Sequence, residues 1–249
     1  MVKIHPMKKL LRNIIVRLTN LLPAKLKSKV EYKRQTFIGL NERPIEYSFV
    51  FKCIGMLFPT RVLDVGTGIT ALPHLIRTCG PLVTAIDNKS DYWPLGMSNR
   101  HYHVLDKDIT ASTFITKDKF DLITCISVLE HIKDHDIAIK NMFLLLKEGG
   151  HLILTCPYTE NEYMENVYEL PESNAYGKKI PFVCQSYSKD ELNNWLKDNG
   201  GTIIEQEFWQ LWNGDYWSTG NKIIPPRKVG PKDKHQLACI LIKKTVNES

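Results

Sequence analysis

From residue 35 onward, short apolar runs alternate with stretches of helical periodicity, the pattern of a parallel sheet covered by helices. A helix over 46–58 (EYSFVFKCIGMLF) leads into a first strand at 61–66 (RVLDVG). A second helix at 70–79 precedes a second strand, LVTAID, at 82–87. Residues 88–102, with Pro94, Gly96 and Asn99, are too broken to predict a helix, and a short third strand follows at 103–108. A weak helix separates it from a strong fourth strand, DLITCIS, at 121–127. Helical periodicity then spans 128–147, and Gly149 with Gly150 turns the chain into a fifth strand at 151–157. Residues 158–186, punctuated by Pro171, Asn174, Gly177 and Pro181, read as an insertion. Ser188 is placed to N-cap a helix at 189–200, with Glu191 completing a capping box. Two last strands, 202–210 and 236–244, are separated by a Trp-, Gly- and Pro-rich loop. No internal repeat or second core is visible, so residues 35–249 make a single domain carrying the insertion 158–186.

The N-terminal 34 residues follow a different pattern. On a helical wheel, Leu10, Leu11, Ile14, Ile15, Leu18, Leu21 and Leu22 fall in one arc, and Lys8, Lys9, Arg12, Asn13, Arg17, Thr19 and Asn20 take the other side. Pro23 stops this helix, and Lys25, Lys27, Lys29, Lys33 and Arg34 follow. Residues 1–34 carry ten Lys/Arg against the single acid Glu31, a balance of +9, whereas the whole chain nets +6 and the remaining 215 residues therefore −3. All excess positive charge sits on this basic amphipathic arm. Its apolar face at 8–22 suits an anionic membrane surface, the domain itself, or a partner copy of the chain. A slightly acidic body argues against a nucleic-acid substrate.

With 43% hydrophobic and 24% charged residues, the composition is that of a globular protein. No stretch approaches the ~20 apolar residues needed to span a bilayer. The six cysteines, at 53, 79, 125, 156, 184 and 239, form no C-x-x-C pair. Most lie in apolar runs, which predicts reduced core thiols in a cytoplasmic protein, with the arm able to reach the inner membrane face.

Chemistry gathers at strand ends. VLDVGTGIT (62–70) places Gly66, Thr67 and Gly68 at a strand-to-helix turn, where the absence of Cβ lets backbone amides approach a ligand. Asp87 ends the second strand, positioned to accept hydrogen bonds from both hydroxyls of a ribose, with Asn88 beside it. Residues 66–71 also satisfy G-x-G-x-x-A, so a nicotinamide or flavin dinucleotide oxidoreductase is an alternative. Three features point away from it: Asp64, two residues before Gly66, where dinucleotide folds usually have an apolar residue; Asp108 at the end of the third strand, with Asp106 as its competitor; and the segments FDLITCISVLEHI (120–132) and LLLKEGGHLILTCP (144–157).

At these residues the sequence resembles the class I S-adenosylmethionine-dependent methyltransferases, nearest the small-molecule group of ubiquinone-type and sugar methyltransferases. The resemblance implies a doubly wound α/β fold with a seven-stranded, mostly parallel sheet whose last strand is antiparallel, and S-adenosylmethionine as cofactor. It places Asp64 to Gly68 at the methionine moiety, Asp87 at the ribose, Asp108 and Ile109 at the adenine, and Ser127 facing the methyl group. Thr70 departs from the pattern, since many members keep a third glycine there.

Methyl transfer to an oxygen needs a proton removed, and His131, with Glu130 beside it, is the nearest candidate base. His131, Asp134, His135 and Asp136 suggest a metal only weakly, because no third ligand is indicated, and no metal is expected. Substrate walls are expected from 42–49, from the insertion with Tyr158, and from FWQLWNGDYW (208–217), which holds Trp209, Trp212 and Trp217. That mix of rings and polar groups suits a glycan building block or another small molecule, with O-methylation favoured over N-methylation. A non-catalytic subunit keeping the same cofactor fold is the remaining alternative.

Overall fold

The computed structural model describes residues 41–89, 93, 97–111 and 119–246, together with scattered positions between residues 26 and 39. Strands β1 (Arg61–Val65), β2 (Leu82–Asp87), β3 (Val104–Asp106), β4 (Phe120–Ile126), β5 (Leu146–Pro157), β6 (Gly201–Trp212), β7 (Lys222–Val229) and β8 (Leu237–Lys244) form one sheet in the order β3-β2-β1-β4-β5-β8-β6-β7. The first five pair in parallel, and β8 runs antiparallel between β5 and β6. The topology reverses between β1 and β4, the place where open α/β sheets form a crevice at their strand ends.

Successive strand residues point to opposite faces, and the core divides accordingly. Val62, Leu122, Ile153, Leu237, Cys239 and Leu241 face helices α1 (Arg43–Leu57) and α2 (Leu72–Thr78), with Phe49, Val50 and Ile76 filling that layer. Leu63, Ile123, Leu152, Leu154, Ala238 and Ile240 face the other way, toward α3 (His135–Leu145) and α4 (Lys189–Asn199). Burial on both faces explains why these strands read as continuous apolar runs. The capping box of Ser188 and Glu191 is present, and α4 ends at Gly200 with φ 67°.

Two expectations are corrected. The sheet has eight strands, because the loop between 210 and 236 contains β7, an edge strand paired only with β6. Pro225 and Pro226 conceal it in the sequence, yet they stand in a bulge where the register jumps between Gln210 and Trp212 and no ladder N–H is required. The helical stretch 128–147 divides into a 3-10 turn, Leu129–His131, and α3. The insertion holds a 3-10 turn, Val167–Glu169, and isolated bridges rather than regular elements.

Glu42–Ser249 form one compact unit and Met1–Asn41 another; of the latter's described positions, Leu26, Lys29, Val30, Tyr32 and Lys33 are helical. The amphipathic stretch 8–22 and most of the weak helix after β3 lie outside the described residues. No helix among the described residues is long and apolar enough to cross a membrane. All five cysteines other than Cys79 are buried free thiols.

Candidate functional site

The turn after β1 is built around two left-handed glycines, Gly66 at φ 71° and Gly68 at φ 55°. A Cβ at Gly66 would lie 2.3 Å from the side chain of Val128, so this position excludes any larger residue. The amides of Gly66 and Thr67 donate to the Ile86 carbonyl, tying the turn to β2. Asp64, 2% exposed, accepts from Thr124 Oγ1 on one oxygen and from Thr67 Oγ1 on the other, both at 2.6 Å. Burial pushes its carboxyl up to about 6, against the pull of these hydroxyls. Asp64 and Thr67 therefore use their side chains to brace the turn from within.

Across the turn, Asp87 is 8% exposed and accepts from the Gly68 amide at 2.7 Å and from Trp93 Nε1 at 3.0 Å. Burial raises its pKa, and these two donors oppose the rise. Asn99 donates to the carbonyls of both Gly68 and Thr70. Farther along, Asn88 donates to Asp108 Oδ2 at 3.4 Å, while Asp108 Oδ1 accepts from the amide and hydroxyl of Thr110. The Ile109 side chain is buried in the core and its carbonyl accepts from Asn141. Any contribution of Ile109 beside Asp108 would therefore come from its backbone rather than its side chain. Asp106 accepts instead from the Lys89 amide.

At the end of β4, Ser127 adopts φ 49°, unusual for a residue with a side chain. Its hydroxyl donates to Glu46 Oε1, an oxygen that also accepts from Thr155 Oγ1 at 2.7 Å. Arg43 donates to Glu46 Oε2 at 2.8 Å and to the Ile126 carbonyl. Glu46 is fully buried; burial drives its pKa up, opposed by Arg43 and the two hydroxyls.

The turn after Ser127 carries Glu130 and His131. Glu130 is 4% exposed, its Oε2 has no hydrogen-bond partner, and burial raises its carboxyl to about 8. Burial thus disfavours the ionised form that a base at Glu130 would need. His131 donates from Nδ1 to the Val183 carbonyl at 2.7 Å, leaving Nε2 as the basic nitrogen, and burial lowers its pKa. Neutral imidazole is thereby favoured, as a base requires. The whole turn is gripped by the end of the insertion. Gln185 donates from its amide side chain to the carbonyls of Glu130 and Ile132, and Tyr187 OH donates to the Leu129 carbonyl.

His135 does not join His131. It packs among the rings of Tyr163, Tyr187 and Trp195, and Trp195 Nε1 donates to Asp136. Among the described residues, no group of three or more His, Cys, Asp or Glu could hold a metal ion.

Of the aromatic substrate candidates, Tyr158 is placed differently from expectation. Tyr158 is 2% exposed and packs against Phe208 and His235, so it is core rather than pocket wall. Trp209, Trp212 and Trp217 pack on the α1 side of the sheet against the same apolar cluster as Ile45 and Tyr47. Trp209 donates to Glu207, and Trp212 meets Trp217 edge-on and Lys222 over its face. The structure does join the insertion to the β6–β7 loop: Asn174 donates to the carbonyls of Ser218 and Gly220, and Tyr216 OH to Glu162. Glu46, Trp93, Asn99 and Gln185 were not singled out from the sequence. Only Glu46 carried a signal, an acid one turn after Arg43 in a helix otherwise rich in apolar residues.

A family model described as a methyltransferase domain matches residues 7–206. Among curated proteins, the ubiquinone biosynthesis O-methyltransferase of Glaesserella parasuis serovar 5 is 30% identical over 131 residues, 49% of this chain and 56% of that protein. The protein of the same description from Coxiella burnetii is 26% identical over 152 residues, 58% and 64% respectively. The chain's matches thus span less than two thirds of the length of these relatives. Among solved structures, a SAM-dependent methyltransferase from Archaeoglobus fulgidus superposes with a TM-score of 0.54 at 14% identity, covering 82% of this chain and 95% of that one. The Burkholderia thailandensis 1,6-didemethyltoxoflavin-N1-methyltransferase gives 0.53 at 13% identity, covering 98% and 92%. At these identities the likeness is one of fold.

Proposed function

The chain belongs to the methyltransferase-domain family, and from that premise we propose that it moves a methyl group from S-adenosylmethionine to a hydroxyl oxygen of a small-molecule acceptor. The observation that carries this reading is the buried Asp87 carboxylate, held by the Gly68 amide across a two-glycine turn at the crevice where the sheet order reverses. That pairing of an acid with a tightly turned backbone suits a nucleoside bearing two adjacent hydroxyls. It also supports this cofactor over a dinucleotide, since Asp64 fills the place before the turn with a braced acid.

When bound, S-adenosylmethionine supplies a methyl group on a sulfonium sulfur, so transfer is an in-line displacement that depends on alignment and on exclusion of water. Asp87 would receive the ribose hydroxyls, and the Gly66–Gly68 turn, its three amides given to Ile86 and Asp87, would line the neighbouring stretch with bare backbone. Asp64 and Thr67 keep that turn rigid. Ser127, fixed by Glu46, would hold the end of β4 that lines the cofactor crevice. His131 removes the acceptor proton at Nε2, and the grip of Gln185 on its turn holds the imidazole in place.

Both relatives described above are named O-methyltransferases of ubiquinone biosynthesis, which supports a hydroxyl on an apolar small molecule. The tryptophans that suggested a sugar are half-buried against the apolar cluster, beside Ile45 and Tyr47. Calorimetric titration with S-adenosylmethionine and with NAD tests the cofactor: binding of the former is expected, and binding of NAD alone would overturn the reading. Incubation with methyl-labelled S-adenosylmethionine and separate organic-solvent and aqueous glycan extracts tests the acceptor. Label is expected in the organic extract as an ether; label confined to the glycans would restore the sugar.

A further inference from the structure

We propose that Trp93 is a cofactor-positioning residue: its indole N–H and the Gly68 amide together hold the Asp87 carboxylate in the orientation that receives the vicinal diol of a nucleoside. The inference rests on the methyltransferase reading and deepens it.

A carboxylate has two oxygens and about four lone-pair positions for accepting hydrogen bonds. Gly68 N–H takes one position on Oδ2, and Trp93 Nε1–H takes one on Oδ1. One position on each oxygen is left, and two adjacent hydroxyls require one acceptor each. A terminal carboxylate torsion is broad and offers no preferred rotamer of its own. With one donor it would still swivel about that contact; with a donor on each oxygen it is pinned. Burial makes such pinning necessary in any case, because a carboxylate withdrawn from water is stable only when it is bonded.

The same connection between β2 and β3 also fixes the partner donor. Asn99 Nδ2 donates to the Gly68 carbonyl at 2.9 Å and to the Thr70 carbonyl at 2.8 Å, while its Oδ1 accepts from the amides of His101 and Tyr102. Tyr102 OH anchors that stretch to the Val83 carbonyl. The Trp93 ring itself stands beside the glycine turn, 3.4 Å from where a Cβ on Gly68 would be. Both peptide faces of Gly68 are therefore committed, the amide to Asp87 and the carbonyl to Asn99. Trp93 and Asn99, both from the segment whose sequence is too broken for a helix, thus hold Asp87 and Gly68 respectively.

Trp93→Phe keeps a ring and removes the donor. Binding of S-adenosylhomocysteine and of its 2′-deoxy analogue to the full chain is measured by calorimetry for wild type and variant. Wild type is expected to favour the intact diol by about tenfold, the size of one charge-assisted hydrogen bond. The variant is expected to bind S-adenosylhomocysteine about tenfold more weakly and to discriminate between the two ligands by less than about threefold. Equal or tighter binding of S-adenosylhomocysteine by the variant would overturn the proposal, since the indole would then be blocking the diol. An equal loss for both ligands would overturn it too, because the ring would only be supporting the site. Wild type that binds neither ligand would overturn the cofactor reading and this inference with it.

Discussion

Ser127, at the end of β4, and Glu46, on α1, are joined by a hydrogen bond from the serine hydroxyl to the buried carboxylate, 81 residues apart in the chain. Thr155 and Arg43 complete the acid's partners. Removing the acid by Glu46→Ala takes an acceptor from the half-buried Arg43 guanidinium and from two hydroxyls, at a cost of about 3 kcal/mol. Glu46→Gln keeps one acceptor oxygen and is expected to lose less. Urea denaturation of the two variants checks the order.

Gly66 offers a steric test of the cofactor turn. Its φ of 71° and its closeness to Val128 mean that Gly66→Ala must both strain the backbone and displace a neighbour. A loss of roughly 3 kcal/mol is expected from the two effects together, seen as a lowered melting temperature. The double variant with Val128→Ala should recover part of it, since only the steric share is relieved.

Asp87→Ala is expected to weaken S-adenosylhomocysteine binding by about 1–3 kcal/mol, through loss of charge-assisted hydrogen bonds. Calorimetry reads this directly, and unchanged affinity would remove Asp87 from the site.

His131→Ala separates catalysis from binding. Cofactor affinity should stay at the wild-type value while methyl transfer to the organic extract falls ~10²-fold, the usual contribution of a positioned base. Near-normal transfer would make the Val183 contact of His131 purely structural.

Acid stability should depend on Asp121, at the opposite end of the sheet. Although burial works against its ionised form, Lys147 at 2.5 Å, the hydroxyl and amide of Thr60 and the amide of Arg61 hold its pKa down at about 2, from an ordinary 3.8. A carboxyl depressed on folding stabilises above its unfolded pKa, and that stability is lost as pH falls through the folded one. The stability difference between wild type and Asp121→Asn, followed by urea titration, should therefore be constant above about pH 5 and shrink between pH 4 and 2.

The strands, the glycine turn and the acid at Asp87 were legible in the amino-acid sequence because each is a local signal. Buried parallel strands must be apolar on both faces, a tight turn needs left-handed glycines, and Ser188 with Glu191 spells out a helix start within four residues. Which of these groups meet was a matter for the tertiary structure. Glu46 under Ser127, Gln185 on the carbonyl of Glu130 and Asn99 on that of Gly68 are hydrogen bonds across 81, 55 and 31 residues, and such bonds leave no period in a sequence. Burial decided the rest. It drew Tyr158 into the core and pushed the Glu130 carboxyl up, while three tryptophans came to lie half-buried beside Ile45 and Tyr47 of α1. A side chain's exposure depends on what the distant chain brings against it, and only the folded arrangement supplies that.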